Sequence, residues 1–254
     1  MLNNLNKITK IRKKLASKKV SVGTWMQIAS PDIAEILSNS GFDWITIDME
    51  HGNFDNGEIV NIFRAIELGN AAPLVRVQNS DINKIKHVLD CGAAGIIIPN
   101  IENASQLQKC INNCNWPPEG ERGVGFSRAN LFGTNFEKYK NNKIKPLVFA
   151  IIESKTGYEN LNEILNVDFL DGIFIGPYDL SASLNILGKF NSIKFKNVIL
   201  NIKKLCKLKK IPCGIHVVEP NFKKLKQNIK TFQFVAYSTD AQFIIDSTKE
   251  INKI

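Results

Sequence analysis

The chain has 254 residues, 44% of them hydrophobic, which is enough to bury one large core but includes no apolar run as long as a membrane span. Its formal net charge of +9 comes from lysines interspersed with asparagine and isoleucine rather than with aromatic residues, so we expect no specific nucleic-acid binding. The five cysteines form no paired framework and the first residues contain no apolar signal segment, which together predict a cytoplasmic protein without membrane association.

Short apolar runs alternate along the chain with segments of helical periodicity. The runs predict eight strands, at Val20–Met26, Trp44–Asp48, Leu74–Val77, Gly95–Pro99, Leu147–Ile152, Gly172–Ile175, Ile211–Ile215 and Phe234–Tyr237. Helices are predicted between them, at Ser30–Ser40, Asp55–Leu68, Asp81–Cys91, Ala104–Asn113 and Ser192–Lys209. Strands alternating with helices in this way predict an α/β fold, the (β/α)8 or TIM barrel, and continuously apolar runs are typical of parallel strands covered on both faces.

We expect a single domain over residues 1–254, with a short basic helix at residues 1–19 and a C-terminal helix at residues 241–254. Ser30 before Pro31 is typical of a helix start, with the serine as cap and the proline in the first turn. The basic residues of the predicted helices are expected to cover outer, solvated faces.

Two further segments stand apart from the alternating pattern. The irregular stretch Trp116–Asn142 is too long for an ordinary loop, so we expect it to be functional or interfacial. Cys110 and Cys114 lie one helical turn apart, but no cluster of further cysteines or histidines completes a zinc site. We therefore interpret them as two thiols on one helix.

Charged and imidazole side chains concentrate at the ends of the predicted strands, where barrel enzymes build their active sites. In chain order the candidates are Asp48, Glu50 and His51 after the second strand, Arg76 at the end of the third, Glu153 after the fifth, Asp179 after the sixth, His216 after the seventh and Asp240 beyond the eighth. Structural interpretations remain open for Arg76 as an ion-pair partner, His216 as a core histidine, and Glu50 and Asp240 as partners of basic residues. Two carboxylates at one edge, those of Glu153 and Asp179, predict half of the ligand shell of a hard divalent metal.

Six segments in fixed order carry a family resemblance: Val22–Leu37, Gly41–Gly52, Leu74–Val77, Leu89–Glu102, Arg122–Gly125 and Asp171–Ser183. Together they resemble the class II, metal-dependent pyruvate aldolases of the HpcH/HpaI family, which includes 2-dehydro-3-deoxyglucarate and 2,4-dihydroxyhept-2-enedioate aldolases. The resemblance implies a TIM barrel of the phosphoenolpyruvate/pyruvate-binding type, assembled as a homohexamer. It also implies reversible aldol cleavage of a 4-hydroxy-2-oxo acid into pyruvate and an aldehyde.

The same resemblance implies a role for each strand-end residue. Glu153 and Asp179 are implied as metal ligands, Arg76 as the contact to the pyruvyl oxygen, His51 with Asp48 as the catalytic dyad, and the backbone amides of Tyr178 and Asp179 as the carboxylate site. The implied cofactor is Mg²⁺, Mn²⁺ or Co²⁺, a Lewis acid that stabilises the developing enolate. No predicted strand ends in a lysine that would form a Schiff base instead.

Asp48 and His51 lie close together just past a strand end, so we expect a turn to bring the carboxylate within hydrogen-bonding reach of the imidazole. Ile151 and Tyr178 depart from the residues that many family members have there, and the aldehyde stays unidentified. Two other functions also stay open. One is a citramalyl- or malyl-thioester-type lyase on the same scaffold, and the other is a non-catalytic sugar-acid-binding subunit.

Overall fold

The structure is a computed structural model that describes residues 2–141 and 144–253. Met1 and Ile254, at the ends of the two predicted terminal helices, and Asn142, at the end of the irregular stretch, lie outside the described residues. The strands close into a parallel barrel in sequence order: β1 (Ser21–Met26), β2 (Trp44–Asp48), β3 (Ala72–Arg76), β4 (Gly95–Ile98), β5 (Leu147–Ile152), β6 (Gly172–Ile175), β7 (Cys213–Val217) and β8 (Phe234–Thr239). The predicted (β/α)8 barrel is confirmed.

Helices surround the barrel and cover one of its ends. In the described residues the α-helices are α1 (Leu5–Ala16), α2 (Pro31–Ser38), α3 (Ile59–Leu68), α4 (Ile82–Asp90), α5 (Ala104–Asn112), α6 (Phe136–Lys140), α7 (Lys155–Glu159), α8 (Leu161–Ile164), α9 (Pro177–Ser183), α10 (Ile193–Lys209), α11 (Phe222–Asn228) and α12 (Asp240–Thr248). Short 3-10 helices lie at Leu2–Asn4, Arg128–Asn130 and Lys249–Lys253. No helix in this part of the chain is long and apolar enough to cross a membrane.

The predicted helices all exist, and α2 begins as its sequence indicates. Ser30 caps it by accepting a hydrogen bond from the Ile33 amide, and Pro31 is its first residue. Several strand ends differ from the prediction by one or two residues: β3 begins at Ala72 rather than at Leu74, β8 ends at Thr239 rather than at Tyr237, and β7 begins at Cys213 rather than at Ile211. Pro212 has no N–H to donate, so the hydrogen-bonded ladder starts after it.

The interior of the barrel is filled by stacked aromatic rings. Phe234 lies between two of them, with ring centroids 4.2 Å from Trp44 and 3.9 Å from Phe149. Gly23 leaves room for the indole, since a Cβ atom there would lie 2.0 Å from Trp44 Cδ2. The barrel is therefore a packed core and not a channel.

Helix α1 closes the amino-terminal end of the barrel. Its buried Ile8 and Ile11 pack into the cluster that fills the barrel interior. Arg12 donates to the Pro146 carbonyl and to the carboxylate of Asp171, both next to strand starts. The expectation that lysines only cover outer faces is wrong for Lys7 of α1, whose Nζ donates to the carbonyls of Gly69 and Ala71. With this end plugged, the open carboxyl end is left for a ligand.

The irregular stretch from Trp116 onward packs at the same closed end as α1. Its Arg122 is buried and donates to the Cys114 carbonyl and the Tyr139 hydroxyl. Arg128 binds Glu67, near the carboxyl end of α3. The stretch therefore lies away from the carboxyl end of its own barrel.

Candidate active site

The predicted site residues come together in one cavity of about 370 Å³ at the carboxyl end of the barrel. Its lining includes Asp48, His51, Arg76, Glu153, Tyr178, Asp179 and His216, whereas the candidates Glu50 and Asp240 lie outside the lining. Another groove, of about 450 Å³, runs along α1 and is lined mainly by lysines and small polar residues, without a carboxylate or an imidazole. The acid–base groups therefore mark the barrel cavity as the candidate active site.

Strand register places Glu153 beside the turn that follows β6. Ile152 pairs with Ile175, so the next residues, Glu153 and Gly176, are neighbours. Glu153 is 6% exposed, and its Oε1 accepts a 2.7 Å hydrogen bond from the Asn100 amide. Gly176 is required there, because a Cβ atom would lie 2.7 Å from Glu153 Oε2.

Asp179 enters the cavity from the first turn of α9. Gly176 ends the strand segment and Pro177 fixes the start of the helix, which puts the Asp179 carboxylate over the strand ends. The Tyr178 side chain is 54% exposed, and its ring contacts Phe190 edge-on at 5.0 Å. The backbone around Tyr178 and Asp179 thus forms one wall of the cavity.

Glu153 and Asp179 fit a divalent cation. Burial is the main cause that raises the pKa of Glu153 to about 7, and the neighbouring charges of Glu50 and Asp179 add to it. A bound cation would remove this repulsion between carboxylates. No group of three or more His, Cys, Asp or Glu ligands exists in the described residues, so a cation held by these two carboxylates would need substrate and water oxygens to complete its shell.

Arg76 is held rigidly by two carboxylates. β2 and β3 pair Asp48 with Arg76 in register, and the guanidinium Nε and Nη2 donate to the two Asp48 oxygens at 2.8 and 2.6 Å. Nη1 lies 2.9 Å from Glu50 Oε2, and the guanidinium carbon lies 4.4 Å from the centre of the Trp25 ring. The remaining N–H groups of the fork are left for a ligand in the cavity.

The predicted contact between Asp48 and the His51 imidazole is not formed. Asp48 Oδ1 accepts from the backbone amides of Glu50 and His51, at 3.1 and 3.2 Å, as in an Asx turn. Arg76 occupies both carboxylate oxygens as a charged, bidentate partner. The His51 ring is exposed and lines the cavity independently.

His216 also lines the cavity. Of its two interpretations, a site residue and a core histidine, the structure therefore favours the site residue. Its ring stacks on Trp25, with centroids 5.4 Å apart, and its Nε2 lies 3.1 Å from the Ser238 carbonyl oxygen. Burial lowers the pKa of His216 to about 4, so the ring is neutral near pH 7. It is neither a purely internal core residue nor a cation.

Asp240 is structural, although it lies next to the cavity. Its two carboxylate oxygens accept hydrogen bonds from the amides of Gln27 and Ile28, at 2.8 and 2.9 Å. Glu50 pairs with Arg76, as its structural interpretation predicted. Cys110 and Cys114 are free, buried thiols, but the prediction that one helix carries both is wrong, because α5 ends at Asn112 and Cys114 lies beyond it.

The sequence did not identify Trp25 or Gln27 as cavity residues. Trp25 lies inside an apolar run, and in a strand covered on both faces such a run does not show which side chains point inward. Gln27 carries no charge that would distinguish it from an ordinary loop residue. Their positions become visible only when the barrel closes.

Comparison with known proteins identifies the family of the chain. The sequence model of the HpcH/HpaI aldolase/citrate lyase family matches residues 21–246. A hydroxypyruvate/pyruvate aldolase from Roseobacter denitrificans is 36% identical over 242 residues, 94% of each chain. A 5-keto-4-deoxy-D-glucarate aldolase from Enterobacter sp. strain 638 is 35% identical over 207 residues, 81% of each chain.

A solved structure extends the agreement to three dimensions. The HpcH/HpaI aldolase/citrate lyase family protein from Burkholderia cenocepacia J2315 superimposes with a TM-score of 0.89 at 25% identity, covering 96% of this chain and 98% of the other. Fold and overall sequence therefore agree with this family. The chain belongs to the HpcH/HpaI aldolase/citrate lyase family.

Proposed function

We propose that the protein is an aldehyde-lyase that reversibly cleaves a 4-hydroxy-2-oxo acid to pyruvate and an aldehyde with a divalent metal. The observation that supports it most is the cavity in which two carboxylates, Glu153 and Asp179, accompany an immobilised arginine fork, Arg76. The related proteins, named hydroxypyruvate/pyruvate aldolase and 5-keto-4-deoxy-D-glucarate aldolase, support the same reaction class.

Glu153 and Asp179 would hold the metal, which we propose to be Mg²⁺, Mn²⁺ or Co²⁺. When bound, such a metal supplies Lewis-acid chemistry to a 2-oxo acid. The amides of Tyr178 and Asp179, which open α9, would hold the substrate carboxylate. These contacts together orient the C3–C4 bond that breaks.

Arg76 stabilises the charge that develops during cleavage. As the C3–C4 bond breaks, its electron pair moves toward the C2 oxygen, and the fork offers N–H groups to that oxygen. Asp48 and Glu50 keep the guanidinium in place, so the site does not have to reorganise during the reaction. Asp48 is thus a positioning residue that acts through Arg76.

His51 is the proposed general base. Its exposed ring lines the cavity and can take the proton of the C4 hydroxyl directly or through one water. The product aldehyde forms as that proton leaves, and the enolate becomes pyruvate when C3 takes up a proton from His51 or from water. The reverse reaction returns the proton to the same oxygen.

The enzyme is proposed to act as a homohexamer in the cytoplasm on small-molecule substrates. Ile244, Ile245 and Ile251 on the C-terminal segment are at least half exposed and supply apolar surface for a neighbouring subunit. The family resemblance supports this assembly.

Pyruvate release tests the proposed reaction. A panel of 4-hydroxy-2-oxo acids would be incubated with the purified enzyme, with and without Mg²⁺, Mn²⁺ or Co²⁺. We expect metal-dependent pyruvate formation from at least one of them. Absence of pyruvate from the whole panel with every metal would contradict the proposal.

A further inference from the structure

One wall of the cavity carries polar but uncharged side chains that the proposed mechanism does not use. They are Gln27 directly after β1, His216 in β7, Thr239 at the end of β8 and Gln242 in α12. These strands are adjacent in the closed barrel, so the four residues form a continuous arc. The groups proposed to bind the 2-oxo acid lie on other strands, which leaves this arc for the aldehyde half of the substrate.

The hydrogen bond of His216 fixes which of its nitrogens carries the proton. The Ser238 carbonyl oxygen, 3.1 Å from Nε2, can only accept, so Nε2 is the protonated atom of the neutral ring. Nδ1 then carries a lone pair and accepts hydrogen bonds. It has no partner among the described residues.

The ring orientation is fixed as well. The imidazole stacks on Trp25 with an interplanar angle of 13°, and Trp25 also carries the Arg76 guanidinium. The residue is partly exposed in the cavity that it lines, and burial lowers its pKa to about 4, so Nδ1 stays unprotonated at neutral pH while Nε2 donates to Ser238. A preoriented acceptor of this kind discriminates between ligands with and without a hydroxyl group.

We propose that His216 is a specificity-determining residue whose Nδ1 accepts a hydrogen bond from a hydroxyl group on the aldehyde half of the substrate. The preferred aldehydes are therefore hydroxylated. Gln27 and Gln242 supply further uncharged hydrogen-bonding groups in the same arc. This inference rests on the proposed aldolase function and names its substrate class.

The test compares two substrates that differ by one hydroxyl, the pyruvate adducts of glycolaldehyde and of acetaldehyde. The ratio of their kcat/KM values is measured for the wild type and three variants. His216→Gln can still donate to the Ser238 carbonyl from the position of Nε2, whereas His216→Asn places its amide oxygen near the position of Nδ1. His216→Phe keeps a flat ring against Trp25 without either nitrogen.

We expect the wild type to prefer the glycolaldehyde adduct. The preference should fall about 10-fold in His216→Gln and His216→Phe, as for one lost hydrogen bond to substrate, and be largely retained in His216→Asn. His87→Gln, on α4, is the matched control and should keep the wild-type ratio. Because each ratio is taken within one protein, a partial loss of folded enzyme does not change it.

The outcomes separate this inference from the proposed function. If the wild type cleaves both adducts and the Gln and Phe variants keep its ratio of kcat/KM values, His216 does not bind the substrate hydroxyl and the inference is wrong. A wild type without preference for the hydroxylated adduct would overturn it equally. If the wild type cleaves no member of the substrate panel with any of the metals, the proposed function itself fails.

Discussion

Arg76 shows how one residue can combine charge with fixed direction. Asp48 binds it with two hydrogen bonds, Glu50 pairs with a third nitrogen, and Trp25 lies against the guanidinium. A lysine in its place would keep the charge but could not make the two-pronged contact with Asp48. The contacts therefore fix the orientation of the Arg76 guanidinium as well as placing its positive charge in the cavity.

Arg76→Lys should lower kcat for pyruvate release by at least about 10-fold, as expected when a positioned oxyanion donor is lost. The measurement is steady-state cleavage with saturating metal. Arg64→Lys is the control, because Arg64 is an exposed residue that bonds to Asn61 on the same helix. Wild-type kcat and kcat/KM in Arg76→Lys would show that the arginine is only a structural ion-pair partner.

His51 differs from Arg76 because nothing in the described structure orients its ring through Asp48. Its role as general base therefore depends on its own exposure to the cavity. His51→Ala should lower kcat by at least about 100-fold, the lower range for general base catalysis. Metal affinity should be retained, because Glu153 and Asp179 remain.

The pH–rate profile gives a second measurement for His51. The wild type should lose activity as the pH falls, because a protonated imidazole cannot accept the hydroxyl proton. At saturating metal, which keeps Glu153 in its charged form, this acid limb should be absent from the residual activity of His51→Ala. If the variant keeps both the rate and the limb, another group is the base; if it loses the metal, His51 is a ligand.

At the scale of elements, the turn between β6 and α9 positions the two carboxylates that are proposed to bind the metal. Glu153 Oε2 lies close to Gly176. Any residue with a Cβ atom at position 176 would push this carboxylate oxygen away. The following helix carries Asp179 in its first turn. The glycine is thus part of the proposed metal site, although it offers no ligand atom.

Gly176→Ala should lower metal affinity by about 10-fold or more, the effect of disturbing the surroundings of a ligand. The added methyl group would lie 2.7 Å from Glu153 Oε2 and displace it. Mn²⁺ titration measures the change. Gly125→Ala is the matched control, because its Cβ atom would meet nothing within 4 Å; equal affinities in both variants would contradict the argument.

The sequence predicted the elements that carry these residues for a physical reason. Parallel strands are apolar on both faces, so runs such as Leu147–Ile152 are visible without alignment, and the residue after each run marks the carboxyl end. The contact made by Asp48 was not predictable in the same way. Spacing places Asp48 near His51, but the turn presents the His51 amide to it and the neighbouring strand supplies Arg76. That choice depends on the register between β2 and β3.

Helix α1 was predicted as a helix but not as a plug. Its apolar residues, such as Ile8 and Ile11, recur as in any amphipathic surface helix. Only the closed barrel shows that they enter its interior cluster and that Arg12 binds at strand starts. The spacing of apolar residues along a helix does not show which distant part of the chain they contact.

At the scale of the whole molecule, apolar side chains on the surface indicate where subunits contact one another. Ile244 and Ile245 in α12 are exposed, and so are Val124, Phe126 and Phe132 in the irregular stretch. Exposed apolar side chains on two separate segments are typical of interfaces between subunits. The proposed hexamer would bury the C-terminal segment against a neighbour.

Light scattering at micromolar concentration should therefore give the mass of a hexamer, about six times the chain mass of 28.5 kDa. Replacing Ile245 with lysine should weaken the assembly, because a charge would have to enter an apolar interface. Ser247→Lys in the same helix is the control for added charge alone. A stable wild-type monomer would contradict the proposed assembly.

The central claim is that Glu153 and Asp179 hold a metal on which pyruvate formation depends. The most direct measurement follows Mn²⁺ binding and pyruvate formation together in the wild type, in Glu153→Gln and in the control Glu35→Gln, an exposed acid on α2. We predict that chelation abolishes activity, that metal restores it, and that Glu153→Gln loses binding and turnover together while Glu35→Gln keeps both. Full turnover after exhaustive chelation, or borohydride trapping of pyruvate on a lysine, would contradict the account.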